Sequence, residues 1–219
     1  MAAIELHPSA PQADAAIIAR LKTIPVALLS DQFRRNRGSR GLNPYHSPAP
    51  MVGTAVTIRT RGGDNLAILR AYDVARPGDV MVIDAEGDLG NALVGGIMSY
   101  AAAQQGLAGM VIDGAIRDVA EIRERTFPVY ARGVTHRGPY KDGPGAINIP
   151  VTVGGMVVRP GDIIVGDQDG LLAFAPDEAE EAIQKAMKQH AAEENTMATI
   201  REGRWDRGFV DGLEARCNN

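Results

Sequence analysis

The stretch 79-DVMVIDAEGDLGNALVGGIMSYAAAQQGLAGMVIDGAIRDVAEIRERTFPVYA-131 decides the fold. Asp79–Asp84 is a short apolar run bounded by Pro77-Gly78 and Gly87, and Gly109–Asp113 repeats that character, so two buried strands are expected. Between them Leu93, Val94, Ile97, Met98, Ala101 and Ala102 recur at i, i+3, i+4 spacing, which predicts a helix ended by Gly106. Val119 to Arg125 predicts another helix before a strand over Pro128–Ala131. Strands alternating with helices favour parallel pairing, because each helix serves as the crossover.

Upstream, residues 13–22 carry apolar positions at helical spacing, and Ile24–Leu29 leads towards a second helix. The segment 34–50, rich in Arg, Gly, Asn and Pro, reads as a surface loop. Val52–Thr60 alternates as a strand does, Gly62-Gly63-Asp64-Asn65 breaks the pattern, and Leu66–Val74 is helical. Downstream, 146–175 has short apolar runs between Gly, Pro and Asp turns with no room for helices, so the sheet becomes antiparallel or mixed there. Residues 177–202 form a charged amphipathic helix, followed by a tail over 203–219. Arg76-Pro77-Gly78-Asp79 and the strand after it echo Arg159-Pro160-Gly161-Asp162 and its strand, a pattern that turn chemistry alone can produce.

With 219 residues, 45% of them hydrophobic and 23% charged, the chain can bury a full core as one domain, 1–219. A net charge of −4 without a basic face argues against nucleic acid as a partner. The single cysteine, Cys217, rules out a disulfide framework and a Cys-based zinc site within one chain. No charged-then-apolar leader and no run approaching about 18 apolar residues is present, so the expectation is a cytoplasmic protein outside the membrane.

Gly96, twenty residues, then Arg117-Asp118-Val119-Ala120-Glu121 sets a cation and two acids beside a glycine-opened apolar segment. Asp118 and Glu121 have the spacing of a capping box, with Asp118 at the N-cap and Glu121 at N3. A metal or substrate role competes with that reading on three grounds. Arg117-Asp118 follows the carboxyl end of a buried strand, where open α/β sheets place ligands. Gly95-Gly96 offers backbone N–H groups without side-chain cover. Asp84, Glu86 and Asp88 add acid nearby. Other chemistries lack a signature: His7, His46, His136 and His190 have no HxH or HExxH spacing, and no GxGxxG or GxxxxGK[ST] occurs. Lys141, Lys185 and Lys188 look solvated and only Lys22 adjoins an apolar run, which disfavours Schiff-base chemistry. Oxygen-ligand metal chemistry with Mg²⁺ or Mn²⁺ remains.

At these residues the chain resembles the family named after the regulator of ribonuclease activity A, which includes the class II 4-hydroxy-4-methyl-2-oxoglutarate/4-carboxy-4-hydroxy-2-oxoadipate aldolases. Its signature, Gly, twenty residues, Arg-Asp, two residues, then Glu or Asp, is met by Gly96, Arg117-Asp118 and Glu121. The likeness extends over roughly 26–175 through Leu29-Ser30-Asp31, Gly53-Thr54-Ala55, Gly63-Asp64-Asn65, Pro77-Gly78-Asp79-Val80, Asp113-Gly114 and Pro160–Val165.

The resemblance implies an α/β fold of the β/β/α swivelling type, a single domain with a mixed sheet and N- and C-terminal helices. It implies a homotrimer, or a hexamer made of two trimers, with active sites between subunits. It also implies a divalent-metal-dependent lyase that forms pyruvate through an enolate, by aldol cleavage of 4-hydroxy-2-oxo acids or by decarboxylation of oxaloacetate. Asp118 matches the metal-binding Asp, and Arg117 the Arg at the 2-oxo oxygen. Gly95, Gly96, Ile97 and Met98 match the segment whose backbone binds the substrate carboxylate. Asp31 stands where the aldolases often carry a Glu, a departure by one methylene, and Glu194 or its neighbour Glu193 matches an acid reaching a neighbouring subunit's site. Arg34, Arg35 and Arg37 could meet an extra substrate carboxylate, although solvation is the commoner fate of such a run. The family's namesakes bind and inhibit an endoribonuclease, so a non-catalytic regulator is the alternative; they generally lack the metal-binding Asp, which this chain has as Asp118.

Overall fold

The longest strand organises the sheet by pairing along both edges, as the computed structural model shows for residues 4–210, 212 and 214. Cys217 lies outside the described residues. In chain order the first half comprises β1 (Ile4–Leu6), α1 (Ala15–Leu21), α2 (Val26–Gln32), β2 (Asn43–Pro44), β3 (Met51–Thr60), α3 (Leu66–Ala71), β4 (Asp79–Asp84), β5 (Ala92–Val94) and α4 (Gly96–Gln104). The second half comprises β6 (Gly109–Ile116), α5 (Val119–Arg123), β7 (Val129–Val134), β8 (Gly145–Ile147), β9 (Val151–Val153), β10 (Met156–Val158), β11 (Ile163–Asp167), β12 (Gly170–Phe174) and α6 (Ala179–Arg201).

Strands β3, β4, β6 and β7 lie side by side and parallel, as the alternation of strand and helix predicts. On its other edge β3 is shared: its first half pairs antiparallel with β11 and its last residues antiparallel with β8. The sheet is therefore mixed, and β1 adds to β8 in parallel while β2 closes the far edge against β7.

Because β4 and β6 are covered on both faces, they read as unbroken apolar runs. In β4, Met81 and Ile83 face a cluster with Ile68, Met110 and Ile112 under α3 and α4. Val80 and Val82 face the opposite cluster with Val111, Tyr130 and Val153. The β9–β10 hairpin turns through Gly154 and Gly155, both at positive φ, the signature of a tight two-residue turn. Its Gly154 N–H donates 2.7 Å to buried Asp113, whose other oxygen pairs with Arg132. A third cluster packs α1, α2 and α6 onto β11 and β12 through Leu21, Leu29, Phe174 and Ile183.

Several boundaries differ from expectation. Leu93 and Val94 belong to β5, and the helix starts only at Gly96, because alternating apolar residues before a diglycine suit a short strand as well as a helix. The loop 34–50 contains the two-residue strand β2, and Ile4–Leu6 is paired although its sequence carries no strand pattern. The repeated Arg-Pro-Gly-Asp turns are built alike. Asp79 accepts from Arg76 N–H and Asp162 from Arg159 N–H, each at 2.8 Å, with Gly78 and Gly161 at φ of 86° and 89°.

Ile83 is fully buried at the centre of the parallel sheet. Ile83→Ala should cost about 2–5 kcal/mol of unfolding free energy in urea or guanidinium titration. A cost below about 1 kcal/mol would contradict the packing described.

Candidate active site

The site grows from the carboxyl end of β6. Arg117 N–H donates to Val94 O at 3.0 Å, which fixes the chain just before it turns. Asp118 then takes the left-handed conformation, φ 58° and ψ 37°, one that Asp tolerates better than most non-glycine residues. This turn redirects the carboxylate. Making no side-chain cap to its own helix, Asp118 Oδ2 accepts the N–H of Gly96, the first residue of α4, at 3.0 Å. The capping box that the Asp118–Glu121 spacing allows is thus not formed. Glu121 Oε1 instead takes Arg125 Nη2 at 2.5 Å, and Arg125 Nη1 donates to Gly96 O at 3.1 Å.

Side chains crowd both glycines. A Cβ at Gly95 would lie 2.5 Å from Asp118 Oδ2 and 3.0 Å from Arg117 Cγ. A Cβ at Gly96 would collide with Glu121 Oε2 and lie 2.8 Å from its Cδ. With the Gly96 N–H taken by Asp118, the amides of Ile97 and Met98 in the first turn of α4 remain to receive an anion.

These elements enclose a shallow cleft of about 50 Å³, lined by Asn65, Gly95, Ile97, Met98, Arg117, Asp118 and Pro139 among others. Arg117 Nε stands 3.7 Å from Asp118 Oδ2, and both side chains are about two-fifths exposed, at 43% and 44%. The sequence-predicted Gly95, Ile97, Met98, Arg117 and Asp118 are brought together here. Asp84, Glu86 and Asp88 are not among the lining residues. The Asp84 and Asp88 carboxylates close their own turns, on the N–H groups of Glu86 and Gly90, and the Glu86 backbone has φ of 56° in the first of these turns.

Asp31 and Glu194 lie elsewhere within the chain. Asp31, on α2, accepts from Gln189 at 2.7 Å and from Arg35 at 2.8 Å, which together hold its carboxyl below the ordinary value. Glu194, on α6, lines a separate hollow of about 260 Å³ with Pro25, Leu28 and His190, and Glu193 accepts from Gln189 at 2.9 Å. Arg37 pairs with Glu178 at 2.9 Å and stacks on Phe33, so Arg35 and Arg37 both have partners inside the chain.

No cluster of three or more His, Cys, Asp or Glu that could cage a metal is present among the described residues. A single carboxylate in an open cleft does not suit a structural zinc site. Asp118 Oδ2 is engaged by Gly96 while Oδ1 takes no hydrogen bond among the described residues, and this donor set fits a cation that leaves most positions to water and small ligands, as Mg²⁺ does.

Two contributors were not singled out by the sequence, Asn65 and Pro139. The chain just after Pro139 is tied to the turn after β3: Tyr140 pairs with Gly63 O and Asn65 N–H, and Asp64, fully buried, accepts from the N–H groups of Leu66, Asp142 and Gly143 at 3.0, 2.7 and 3.0 Å. Burial pushes the Asp64 carboxyl up, but these three donors and the Arg61 charge outweigh it and leave it below its ordinary value. The signal was the Gly63-Asp64-Asn65 break after β3, legible as a turn but silent about the distant segment it holds.

The profile of the family described as RraA-like, Aldolase/RraA, matches residues 26–173. A protein of Halalkalibacterium halodurans with the provisional name 4-hydroxy-4-methyl-2-oxoglutarate aldolase is 40% identical over 84% of this chain and 88% of its own. The structure of the RNA-processing inhibitor RraA from Thermus thermophilis superposes with a TM-score of 0.63 at 31% identity, over 69% of this chain and 92% of that one. Streptomyces coelicolor RraAS2, described as an unusual member of the RNase ES inhibitor RraA protein family, gives 0.79 at 25% identity, over 86% and 98%.

Two measurements test the site's construction. Gly95→Ala, whose Cβ would meet Asp118 Oδ2 and Arg117 Cγ, should displace both side chains and reduce ligand binding in the cleft at least tenfold by calorimetry, while far-ultraviolet circular dichroism stays unchanged. For Asp64 the lowered folded-state pKa contributes stability that is present above the unfolded carboxyl value and lost as pH falls through the folded one. The stability gap between the wild type and Asp64→Asn should therefore be widest near neutrality and narrow below about pH 4 in thermal melts. A gap independent of pH would remove the carboxylate from that role.

Proposed function

The chain belongs to the RraA-like family, and from this membership we propose that it is a divalent-metal-dependent lyase that forms pyruvate through an enolate. The substrates would be 4-hydroxy-2-oxo acids of the 4-hydroxy-4-methyl-2-oxoglutarate type, cleaved in the aldol sense, and oxaloacetate, decarboxylated. The observation that carries the reading is the Asp118 side chain. It is turned away from its own helix into a cleft beside Arg117 and the amino end of α4.

In this reading the substrate carboxylate rests on the Ile97 and Met98 amides, where the helix end favours negative charge. Arg117 sets its guanidinium at the 2-oxo oxygen, where charge develops as the carbon–carbon bond breaks. A cation held by Asp118 would act as a Lewis acid towards that same charge. Arg117 passes over Gly138, where a Cβ would lie 3.0 Å from Nη1, so a glycine there leaves the guanidinium its room. Aldol cleavage also needs a base for the 4-hydroxyl proton, which would be a water held by the partner subunit's Asp31 or Glu194, since both acids lie away from the cleft within one chain. Decarboxylation needs none.

Assembly as a trimer or as two stacked trimers is part of the proposal. Ile97 is 84% exposed, and Tyr100, Val134 and Leu89 also present large apolar surfaces to solvent, as suits a face covered by another copy. Among the described residues no helix is long and apolar enough to cross a membrane.

The second reading, a non-catalytic regulator of an endoribonuclease, draws on the relatives named as RNA-processing inhibitors. One preparation distinguishes the two. Protein stripped with EDTA should regain pyruvate release from oxaloacetate on addition of Mg²⁺ or Mn²⁺, and Asp118→Ala should fall at least a hundredfold. Equal turnover by that variant at saturating metal would end the lyase reading. Ribonuclease capture without turnover would establish the other.

A further inference from the structure

Gly96 is gripped on both of its peptide groups by side chains. Its N–H donates to Asp118 Oδ2 at 3.0 Å, and its carbonyl accepts from Arg125 Nη1 at 3.1 Å and from the Ser99 hydroxyl at 3.0 Å. Arg125, two residues beyond α5, is itself firmly held. Its backbone N–H donates to Ile122 O at 3.1 Å, and its carbonyl accepts from Ser47 N–H at 2.9 Å. Its Nη2 donates to Glu121 Oε1 at 2.5 Å, and its guanidinium lies 5.0 Å from the centre of the Tyr100 ring, one turn further along α4. The other Glu121 oxygen closes on Gly96, where it would collide with a Cβ. The signature formed by Gly96, Arg117-Asp118 and Glu121 does not include Arg125.

The grip acts on orientation and on charge. Gly96 O and Ile97 N–H belong to one peptide plane, and Ile97 lines the cleft. Fixing the carbonyl fixes the direction of that N–H, and a charged donor on the oxygen strengthens the N–H as a donor in turn. Two acids, Asp118 and Glu121, also meet at Gly96. Arg125 offsets Glu121, which leaves Asp118 alone for a cation and spares an incoming anion the second negative charge.

Resting on the lyase reading, we propose that Arg125 is a positioning residue for the substrate carboxylate: it orients the Ile97 N–H that receives the carboxylate and neutralises the Glu121 side chain beside it. Arg125 is not among the residues lining the cleft, so it acts through Gly96 and Glu121. Arg117 and Arg125 then have separate tasks, Arg117 at the 2-oxo oxygen and Arg125 on the carbonyl side of the peptide that anchors the acid.

Arg125→Met keeps the aliphatic stem and removes the guanidinium. With Mg²⁺ present, KM for oxaloacetate should rise about 5- to 30-fold while kcat stays within about threefold, since Arg117 and Asp118 remain. Adding Glu121→Gln to that variant deletes the released charge and should recover part of the loss, which a salt bridge serving the fold alone would not do. Arg125→Lys, with one nitrogen for two partners, should fall between wild type and Arg125→Met; it carries the test if the Met variant fails to fold, and a wild-type KM would then overturn the inference. An unchanged KM in Arg125→Met, a loss carried by kcat, or a double variant no better than the single one also overturns it. If the wild type releases no pyruvate, the lyase reading fails, and calorimetric titration with pyruvate and Mg²⁺ still decides this one. Weaker binding by Arg125→Met that Glu121→Gln partly restores sustains the inference; equal affinities, or no binding by the wild type, overturn it.

Discussion

The bond from Gly96 N–H to the Asp118 carboxylate is the constraint on which the site depends. It ties the end of β6 to the start of α4 across 22 residues of sequence. Asp118 makes it from a left-handed turn, and Gly95 leaves free the space that its Oδ2 occupies. An unfavourable backbone conformation of this sort costs of order 1–3 kcal/mol and persists only where its surroundings enforce it. Here the enforcement comes from the Arg117–Val94 backbone bond on one side and the Glu121–Arg125–Gly96 network on the other.

The parallel centre of the sheet explains why this bond falls where it does. Crossover helices return each strand in the same direction, so the carboxyl ends of β4 and β6 open on one edge. The amino end of α4 arrives at that edge with its amides pointing outwards, and Arg117 leaves β6 beside it. Positive charge, a helix end and a carboxylate thus converge without any one of them being buried in full. Apolar Ile97 at the rim of the shallow cleft and Tyr100 beyond it both stay exposed.

Much of this was legible. The bounds of β4 agree with the apolar run 79–84, since a strand buried on both faces needs an unbroken apolar sequence and turn residues must flank it. The signature residues Gly96, Arg117 and Asp118 were also found by spacing. What escaped was non-local. Ile4–Leu6 is a strand only because β8 offers it an edge. The 118–121 spacing permits a capping box, but the backbone φ of Asp118, set by tertiary contacts, decides against it. Asn65 and Pro139 share the cleft wall only because distant segments meet there, which no sequence pattern records.

The echoed turns show how far local sequence reaches. Arg76–Asp79 and Arg159–Asp162 build the same turn, with matching hydrogen bonds and glycine conformations, and each launches a buried strand next to β3. Yet β4 runs parallel to β3 and β11 antiparallel. After β4 the chain adds the short strand β5 and then the helix α4 before β6 takes its place beside β4, a connection long enough for a crossover. After β11 only two residues separate it from β12, and a hairpin is the sole outcome. Residues within four positions therefore determine the turn, whereas the length of the following connection determines what the strand end faces. The end of β4 borders the edge that carries the cleft, and the equally acidic end of β11 is occupied by its own hairpin and by the Val26 N–H that Asp167 accepts at 2.9 Å. Similar turns thus acquire different fates through topology, and acidic residues at a strand end become candidates for chemistry only where a crossover leaves that end open.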